Sequence, residues 1–139
     1  MTQQKAIQVG DSAAITRAFS EADVRAFAAL TGDSNPVHLD ADYAAATQFK
    51  ERIVHGMLVS SLFSTLLGVH LPGEGSIYVS QAIQFRAPVH LDEEVTATVE
   101  VLAIREDKPI ITLKTTVTNL AGKAVVRGEA VMFVPHLAG

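Results

Sequence analysis

The chain contains no cysteine and no tryptophan, and its 15 acidic residues outnumber its 11 basic ones. The absence of cysteine excludes disulfides, thiolate nucleophiles and thiolate metal ligands. The formal net charge of −4 argues against a nucleic-acid partner held on a basic face. Any chemistry must therefore be carried by other side chains or by the backbone.

The chain also lacks a long uninterrupted apolar run. Residues 53–69 come nearest, but about 17 residues fall short of the roughly 20 that a membrane-spanning helix needs. Residues 1–10 are mostly polar and lack the apolar core of a secretory signal. We therefore expect a cytoplasmic protein in which 53–69 form a buried helix.

The size and composition predict one domain over residues 1–139. Hydrophobic residues make up 48% of the chain, which favours a large core over disorder. A chain of this length buries about two thirds of the surface that its unfolded form would expose. The sequence shows no repeat, linker or low-complexity tract.

The first half of the chain predicts a strand followed by helices. The strand covers residues 12–17. Ser20 and Asp23 have the spacing of a capping box, and apolar residues then follow at helical intervals until Gly32, a natural C-terminal stop. A short helical segment is expected near residues 41–46.

A second, longer helix is predicted from about His55 to Leu67, closed by Gly68. Apolar residues cover most of its circumference, so it should be buried on most sides. Small residues recur at every fourth position along one stripe where another element can approach closely: Gly56, Ser60, Ser64 and Gly68.

The second half of the chain alternates between apolar and polar residues, as strands do. Turn signals separate four such segments, which cover residues 76–86, 94–105, 110–119 and 124–134. Helices followed by an antiparallel sheet indicate an α+β fold. The simplest packing curls the sheet around the apolar helix.

The segment from Asp33 to His38 brings a carboxylate, an amide and an imidazole within six residues. Pro36 has no amide proton and disfavours a helical conformation at Asn35, so we expect a turn here and no regular helix. A polar loop facing the start of a buried helix suits acid/base chemistry beside an oxyanion site, which indicates an enzyme acting on an acyl thioester. Alternatively, Asp33 and Asn35 merely cap turns.

These residues resemble the (R)-specific enoyl-CoA hydratases of the MaoC-like dehydratase family. The resemblance runs from about residue 8 to residue 135 and implies a hot-dog fold, in which a curved antiparallel sheet surrounds a central helix, assembled as a homodimer. It implies reversible syn hydration of short- to medium-chain trans-2-enoyl-CoA to (R)-3-hydroxyacyl-CoA. This lyase activity supplies polyhydroxyalkanoate synthesis from fatty-acid β-oxidation. The matching motifs are Gly32–Asp40, Arg52–Met57, Leu71–Gly73, Phe85–Val89 and Gly128–Ala130.

The resemblance also implies roles for individual residues. Asp33 and His38 match the catalytic pair, with Asp33 as the base toward water and His38 as the partner that holds the water and relays the proton. Asn35 matches a residue that orients the site. The backbone N–H of Gly56 matches the oxyanion donor, a role that a helix N-terminus suits.

Three further residues are carried over from the family pattern. Ser64 matches a position near the active site and has a supporting hydrogen bond or plain small-residue packing as alternatives. Leu67 and Val131 are expected to line the acyl-chain pocket. The coenzyme A phosphates need basic groups, which the sequence cannot rank: Lys50, Arg52, Arg86 and Lys108.

The remaining histidines have more ordinary interpretations. His55 adjoins Gly56, which makes it an acid/base candidate, but a structural role is favoured. His70, His90 and His136 lie in contexts typical of solvated side chains. The histidines have no spacing typical of a metal site, so we expect no metal and no cofactor beyond the coenzyme A of the substrate.

Two alternative functions remain open. A hot-dog acyl-CoA thioesterase usually carries its catalytic carboxylate on or near the central helix, and the segment from His55 to Leu67 contains no Asp or Glu. A non-catalytic acyl-CoA-binding subunit would be expected to lack Asp33, His38 or Gly56, and all three are present.

Overall fold

A computed structural model describes residues 6–135 of the chain, so His136 lies outside the described residues. The described part contains five strands, four α-helices and one π-helical turn. In chain order these are β1 (Ser12–Ala18), α1 (Glu21–Thr31), α2 (Pro36–Leu39), α3 (Ala41–Ala45), α4 (Gly56–Thr65), the π-helical turn Leu66–His70, β2 (Ile77–Phe85), β3 (Glu94–Ile104), β4 (Ile110–Asn119) and β5 (Ala124–Phe133).

The five strands form one antiparallel sheet in the order β1-β3-β4-β5-β2. The predicted strands are confirmed, each within one residue of its expected bounds. Successive side chains of a strand point to opposite faces of the sheet, and on β3 and β4 one face is buried throughout. That inner face carries Val95, Ala97, Val99 and Val101 of β3 and Ile111, Leu113, Thr115 and Val117 of β4.

Helix α4 packs against β3 and β4 and provides the other half of the core. Its buried side chains include Val59, Leu62 and Phe63, and the following π-helical turn adds Leu66 and Leu67. A helix enclosed by an antiparallel sheet is the arrangement that the hot-dog expectation requires. The helix is less buried than predicted, because Met57 on its first turn is 60% exposed.

Local signals correctly place α1 and its ends. Ser20 accepts a hydrogen bond from the backbone N–H of Asp23, and the Asp23 side chain accepts one from the backbone N–H of Ser20. Gly32 ends the helix in the left-handed conformation, with φ of 84°. These contacts fix both ends of α1 and so position the backbone of Asp33, which follows Gly32.

Two predictions about helix limits are wrong. Residues Pro36–Leu39 form the short helix α2, because proline is tolerated at the first helical position, where its missing N–H would have no partner. Gly68 does not close the long helix. The α-helix gives way at Leu66 to the π-helical turn, which contains Gly68 and keeps Leu66 and Leu67 in the core.

Across residues 6–135, none of the helices has the length and the apolar character that crossing a membrane requires.

Candidate active site

Asp33 lies just after the end of α1 and is held by short polar contacts. Its backbone N–H donates to Thr31 Oγ1 at 3.1 Å, and its Oδ1 accepts from the backbone N–H of Asn35 at 3.3 Å. The side chain is exposed. Most of the carboxylate's hydrogen-bonding capacity is therefore left for water or a ligand.

Asn35 and Pro36 start α2, the helix that carries His38. Asn35 Oδ1 accepts from the backbone N–H of Val37 at 3.2 Å, as an N-cap residue does. His38 lies three residues after Asn35, within α2, and is only 8% exposed. Asn35 thus caps the helix that carries His38, which is the capping role that the sequence left open for it.

The imidazole of His38 is fixed by one strong contact. Its Nδ1 lies 2.7 Å from the carbonyl oxygen of Ile53. Because a carbonyl can only accept, Nδ1 carries the proton in the neutral ring and Nε2 keeps its lone pair. Burial lowers the pKa of His38, and the neighbouring His55 lowers it further, against opposing effects of the Ile53 carbonyl and Asp33. The lowered pKa favours the neutral ring, in which Nε2 is an acceptor.

The segment that follows α3 anchors α2 from the other side. Arg52 Nε donates to the backbone carbonyl of His38 at 2.7 Å, and its guanidinium also pairs with Glu21 of α1. The Ile53 backbone N–H donates to Val37 at 3.3 Å. With its side chain only 14% exposed, Arg52 is committed to these contacts, which makes it a poor candidate for binding coenzyme A phosphates.

His55 lies behind both members of the predicted catalytic pair. Its ring stacks on His38, with centroids 3.9 Å apart and planes 24° apart. Its Nε2 donates to the backbone carbonyl of Asp33 at 2.9 Å, and its other face contacts the ring of Phe27. The ring is 1% exposed. The sequence did not anticipate that His55 joins the two segments.

Gly56 is the first residue of α4, and no side chain caps this end of the helix. Its backbone amide therefore lies at the positive end of the helix dipole. A Cβ built on Gly56 would come 2.6 Å from Cε1 of Phe85. The glycine thus lets the aromatic ring of β2 lie directly against the helix start.

One carboxylate oxygen of Asp33 and one ring nitrogen each of His38 and His55 lie within 4.8 Å of one another. Two hydrogen bonds of about 2.8 Å to one water span about 4.5 Å at a tetrahedral angle. The separation thus suits a single water shared by Asp33 and His38. It suits a metal ion poorly, because the lone pairs of face-to-face imidazoles do not converge and Nδ1 of His38 and Nε2 of His55 already donate to carbonyls.

Comparison with known proteins settles the family. The model of the MaoC-like domain family matches residues 3–123. The chain belongs to the MaoC-like family. It is 53% identical over 131 residues to the (R)-specific enoyl-CoA hydratase of Aeromonas caviae, covering 94% of this chain and 98% of that protein. A hydratase of the same description from Rhodospirillum rubrum is 47% identical over 129 residues, covering 93% and 89%.

Solved structures agree with the fold of this MaoC-like domain. The (R)-hydratase from A. caviae described as involved in PHA biosynthesis superimposes with a TM-score of 0.92 and 52% identity, covering 95% of this chain and all of that one. The unliganded R-hydratase PhaJ1 from Pseudomonas aeruginosa gives 0.87 and 47%, covering 92% and 82%. The hot-dog fold is confirmed.

In this MaoC-like domain the three remaining predicted residues lie on α4, in the π-helical turn and on β5. Ser64 is exposed on α4 and lines a cavity with Tyr78 and Gln81 of β2. Leu67 is fully buried in the core. Both of these residues lie on the side of the sheet that α4 covers.

The structure places Val131 on the opposite face of the sheet. Its neighbours Ala130 and Met132 are buried on the inner face and pair with Leu113 and Ile111 of β4. Because side chains alternate along a strand, Val131 points away from that face. Met132 is the β5 residue that shares the inner side of the sheet with Leu67, and it lies next in sequence to the residue predicted.

Proposed function

We propose that this chain is an (R)-specific enoyl-CoA hydratase that adds water reversibly to short- to medium-chain trans-2-enoyl-CoA. The product is the (R)-3-hydroxyacyl-CoA, and no cofactor is needed beyond the coenzyme A of the substrate. One observation carries the proposal at the level of chemistry: a carboxylate oxygen of Asp33 and a ring nitrogen of His38 lie within 4.8 Å of each other, about the span of one bridging water.

The reaction would proceed through that shared water. Asp33 and His38 hold it, and one O–H bond breaks as the water oxygen bonds to C3 of the substrate. The released proton passes through the pair to C2. Because water and proton come from the same side, the addition is syn. General acid–base catalysis by such positioned groups contributes about 10²–10⁴-fold.

Gly56 would stabilise the charge that develops on the thioester oxygen. Its backbone N–H at the start of α4 suits an enolate oxygen, since donors already in place need no reorganisation when the charge appears. For the acyl tail, Leu67 on the inner side of the sheet and Val131 on the outer face are both retained as proposed pocket residues. Ser64 is retained as a supporting residue near the tail.

The product has the chemistry of a polyester monomer. An (R)-3-hydroxyacyl thioester made from an intermediate of fatty-acid β-oxidation is a unit for polyhydroxyalkanoate synthesis, and the A. caviae relative is described in that context. We assign the chain the same supply role in the cytoplasm, as a single domain over residues 1–139.

A homodimer is the assembly we propose for the chain. Strand β2 pairs only with β5 and so ends the sheet with a free edge among the described strands. It also exposes large apolar side chains, including Ile77, Tyr78 and Val79. Exposed apolar edge strands are prone to pair with another chain. Light scattering coupled to size exclusion should give twice the 14.8 kDa chain mass, and a mass of one chain at micromolar concentration would contradict this assembly.

The thioesterase alternative predicts cleavage of the thioester C–S bond in place of addition of water across the C2–C3 double bond. It requires a carboxylate near the central helix, and α4 (Gly56–Thr65) has none. Asp33 does lie near the start of α4, because its backbone carbonyl accepts a hydrogen bond from His55, the residue before the helix. The reaction products must therefore distinguish the two activities. Hydration removes the conjugated enoyl absorbance and leaves the thioester intact, whereas hydrolysis releases a free thiol.

The test is incubation of the purified protein with crotonyl-CoA while both signals are followed. We expect loss of enoyl absorbance without thiol release, and a product that an (R)-specific 3-hydroxyacyl-CoA dehydrogenase oxidises. Thiol release without hydration would replace the proposal with a thioesterase. A lack of both signals with crotonyl-, hexenoyl- and octenoyl-CoA would favour the non-catalytic acyl-CoA-binding subunit.

A further inference from the structure

We infer that His55 is a positioning residue that holds the three parts of the catalytic site in register, and that it acts as a neutral hydrogen-bond donor without exchanging protons with the substrate. The inference rests on the proposed function for its kinetic consequences. Its structural basis is the set of contacts that His55 makes with Asp33, His38 and Gly56.

Each part of the site is attached to His55 by a different kind of contact. Asp33 is attached through its backbone carbonyl, which accepts from Nε2 of His55 at 2.9 Å. His38 is attached through the face of its ring, at a centroid distance of 3.9 Å. Gly56 is attached covalently, as the next residue in the chain. Asp33 and His38, which lie 22 and 17 positions before His55 in the sequence, thus both contact this one side chain.

The contact with Asp33 also fixes which tautomer His55 adopts. The carbonyl oxygen accepts, so in the neutral ring Nε2 carries the proton and Nδ1 keeps its lone pair. Nδ1 is buried without a hydrogen-bond partner among the described residues. Because Nδ1 is buried and Nε2 already donates to the Asp33 carbonyl, we assign His55 no part in proton transfer, in contrast to His38.

Simple packing does not account for this side chain. A buried acceptor with no partner costs stability, so a site that needed only apolar filling would be better occupied by leucine. The ring is nevertheless enclosed between Phe27 and His38 and is 1% exposed. What an imidazole supplies here, and leucine cannot, is the hydrogen bond to the Asp33 carbonyl.

Two substitutions separate positioning from the other roles. His55→Gln keeps a donor nitrogen near the position of Nε2 but has no imidazole, whereas His55→Leu fills space and cannot donate. We expect His55→Leu to lower kcat for crotonyl-CoA by about a hundredfold, the cost of a misplacement of about 1 Å, with KM changed by less than about threefold. His55→Gln should stay within about tenfold of the wild type. His70→Gln, on the exposed last residue of the π-helical turn, is the matched control.

The alternatives give different patterns in the same assay. Equal, severe losses in the Gln and Leu variants would overturn the inference in favour of direct proton transfer by His55. Unchanged kcat in a folded His55→Leu variant would overturn it in favour of packing alone. Thermal unfolding of each variant confirms that turnover is measured on folded protein.

A readout independent of turnover separates failure of this inference from failure of the proposed function. Imidazole ¹⁵N spectra of the wild type should show the Nε2–H form of His55 and the Nδ1–H form of His38, and His55→Leu should shift the His38 resonances. The opposite tautomer of His55 would overturn the inference even if the wild type is an active hydratase. The expected tautomers in a protein that does not hydrate crotonyl-CoA would leave the positioning contacts supported and remove only the assigned reaction.

Discussion

The residues around α2 and the layer between α4 and the sheet are stabilised in opposite ways. Around α2, short polar contacts fix the backbone, as in the bonds from Asn35 to Asp33 and from His38 to Ile53. Between α4 and the sheet, apolar side chains such as Phe63 and Leu113 are fully buried and fill the core. The first region orients polar side chains, from the exposed Asp33 to the buried His38, whereas the second consists mainly of buried apolar side chains.

This difference separates where the protein is active from where it is stable. Side-chain hydrogen bonds at exposed positions contribute little net stability but fix the orientation of the groups that they join. Buried apolar residues contribute most of the stability but offer no chemistry to a substrate. Substitutions around α2 should therefore lower turnover, whereas substitutions between α4 and the sheet should lower the free energy of unfolding.

The largest effect is expected for Asp33→Asn. The amide oxygen of the new side chain can still accept from the backbone N–H of Asn35, so the loop keeps its shape, but the carboxylate is lost. We expect turnover of crotonyl-CoA to fall by about 10²–10⁴-fold, with the melting temperature changed by no more than a few degrees.

Asp40→Asn provides the control for this substitution within the same motif. Asp40 caps α3 by accepting from the backbone N–H groups of Asp42 and Tyr43, and asparagine caps equally well. Turnover of this variant should match the wild type. Near-normal turnover of Asp33→Asn would reduce Asp33 to a turn residue.

The converse effect is expected in the core for Phe63→Ala. Phe63 is fully buried between α4 and the sheet, and removing such a ring costs about 3–5 kcal/mol of unfolding free energy. Denaturant unfolding should show this loss, while kcat per folded molecule stays close to the wild type. Leu120→Ala, at a position 80% exposed, should change stability by less than about 0.5 kcal/mol. A core variant that keeps full stability but loses kcat would contradict the division between residues that stabilise the fold and residues that carry the activity.

A smaller effect is expected where the two regions meet, at Gly56. In Gly56→Ala the new methyl group must displace the Phe85 ring, which lies 2.6 Å from the Cβ position. We expect kcat/KM to fall by about tenfold, because small displacements of reacting groups are costly. Larger side chains, such as valine, should lower it further.

Gly68→Ala is the matched control on the same stripe of small residues. A Cβ at Gly68 meets nothing within 4 Å, so alanine there should leave kcat/KM unchanged and stabilise the fold by up to about 1 kcal/mol. Equal kinetics for the wild type and a folded Gly56→Ala variant would remove Gly56 from the mechanism.

The smallest effect expected is a displaced pH profile. Burial and His55 lower the pKa of His38, so the neutral ring persists to lower pH than in free histidine. The acid limb of kcat/KM that belongs to His38 should therefore lie below about pH 6.5. The unfolded chain takes up this proton first, so the contribution of His38 to stability is complete above about pH 6.5. It is lost as pH falls from there toward the folded pKa. A limb above pH 6.5 assigned to His38 would contradict this account.

The sequence predicted those features that depend on neighbours in the chain. The Ser20 cap, the Gly32 stop and the alternating strands follow from local hydrogen bonds and from burial of one face. The family resemblance brought Asp33 and His38 together before the fold was known. Their spacing alone left turn capping as an open explanation, because the same side chains serve both purposes.

The features that the sequence missed depend on contacts between distant segments. His55 reaches Asp33 across 22 positions, and nothing in the intervening residues indicates this bond. The face on which Val131 lies also depends on distant pairing, because its neighbours Ala130 and Met132 pair with Leu113 and Ile111 of β4 on the buried face. The family resemblance named Val131 as a position and carried no information on which face of the sheet it occupies.

In the proposed mechanism Asp33 and His38 act as one unit on one water. A double-mutant cycle on the kcat of crotonyl-CoA hydration, with Asp33→Asn, His38→Gln and the combined variant, measures whether they do. If the two side chains share the water, either substitution disables the unit. The double variant should then lose little more than the worse single one. Losses that multiply in the double variant would show two independent contributions and contradict the shared water.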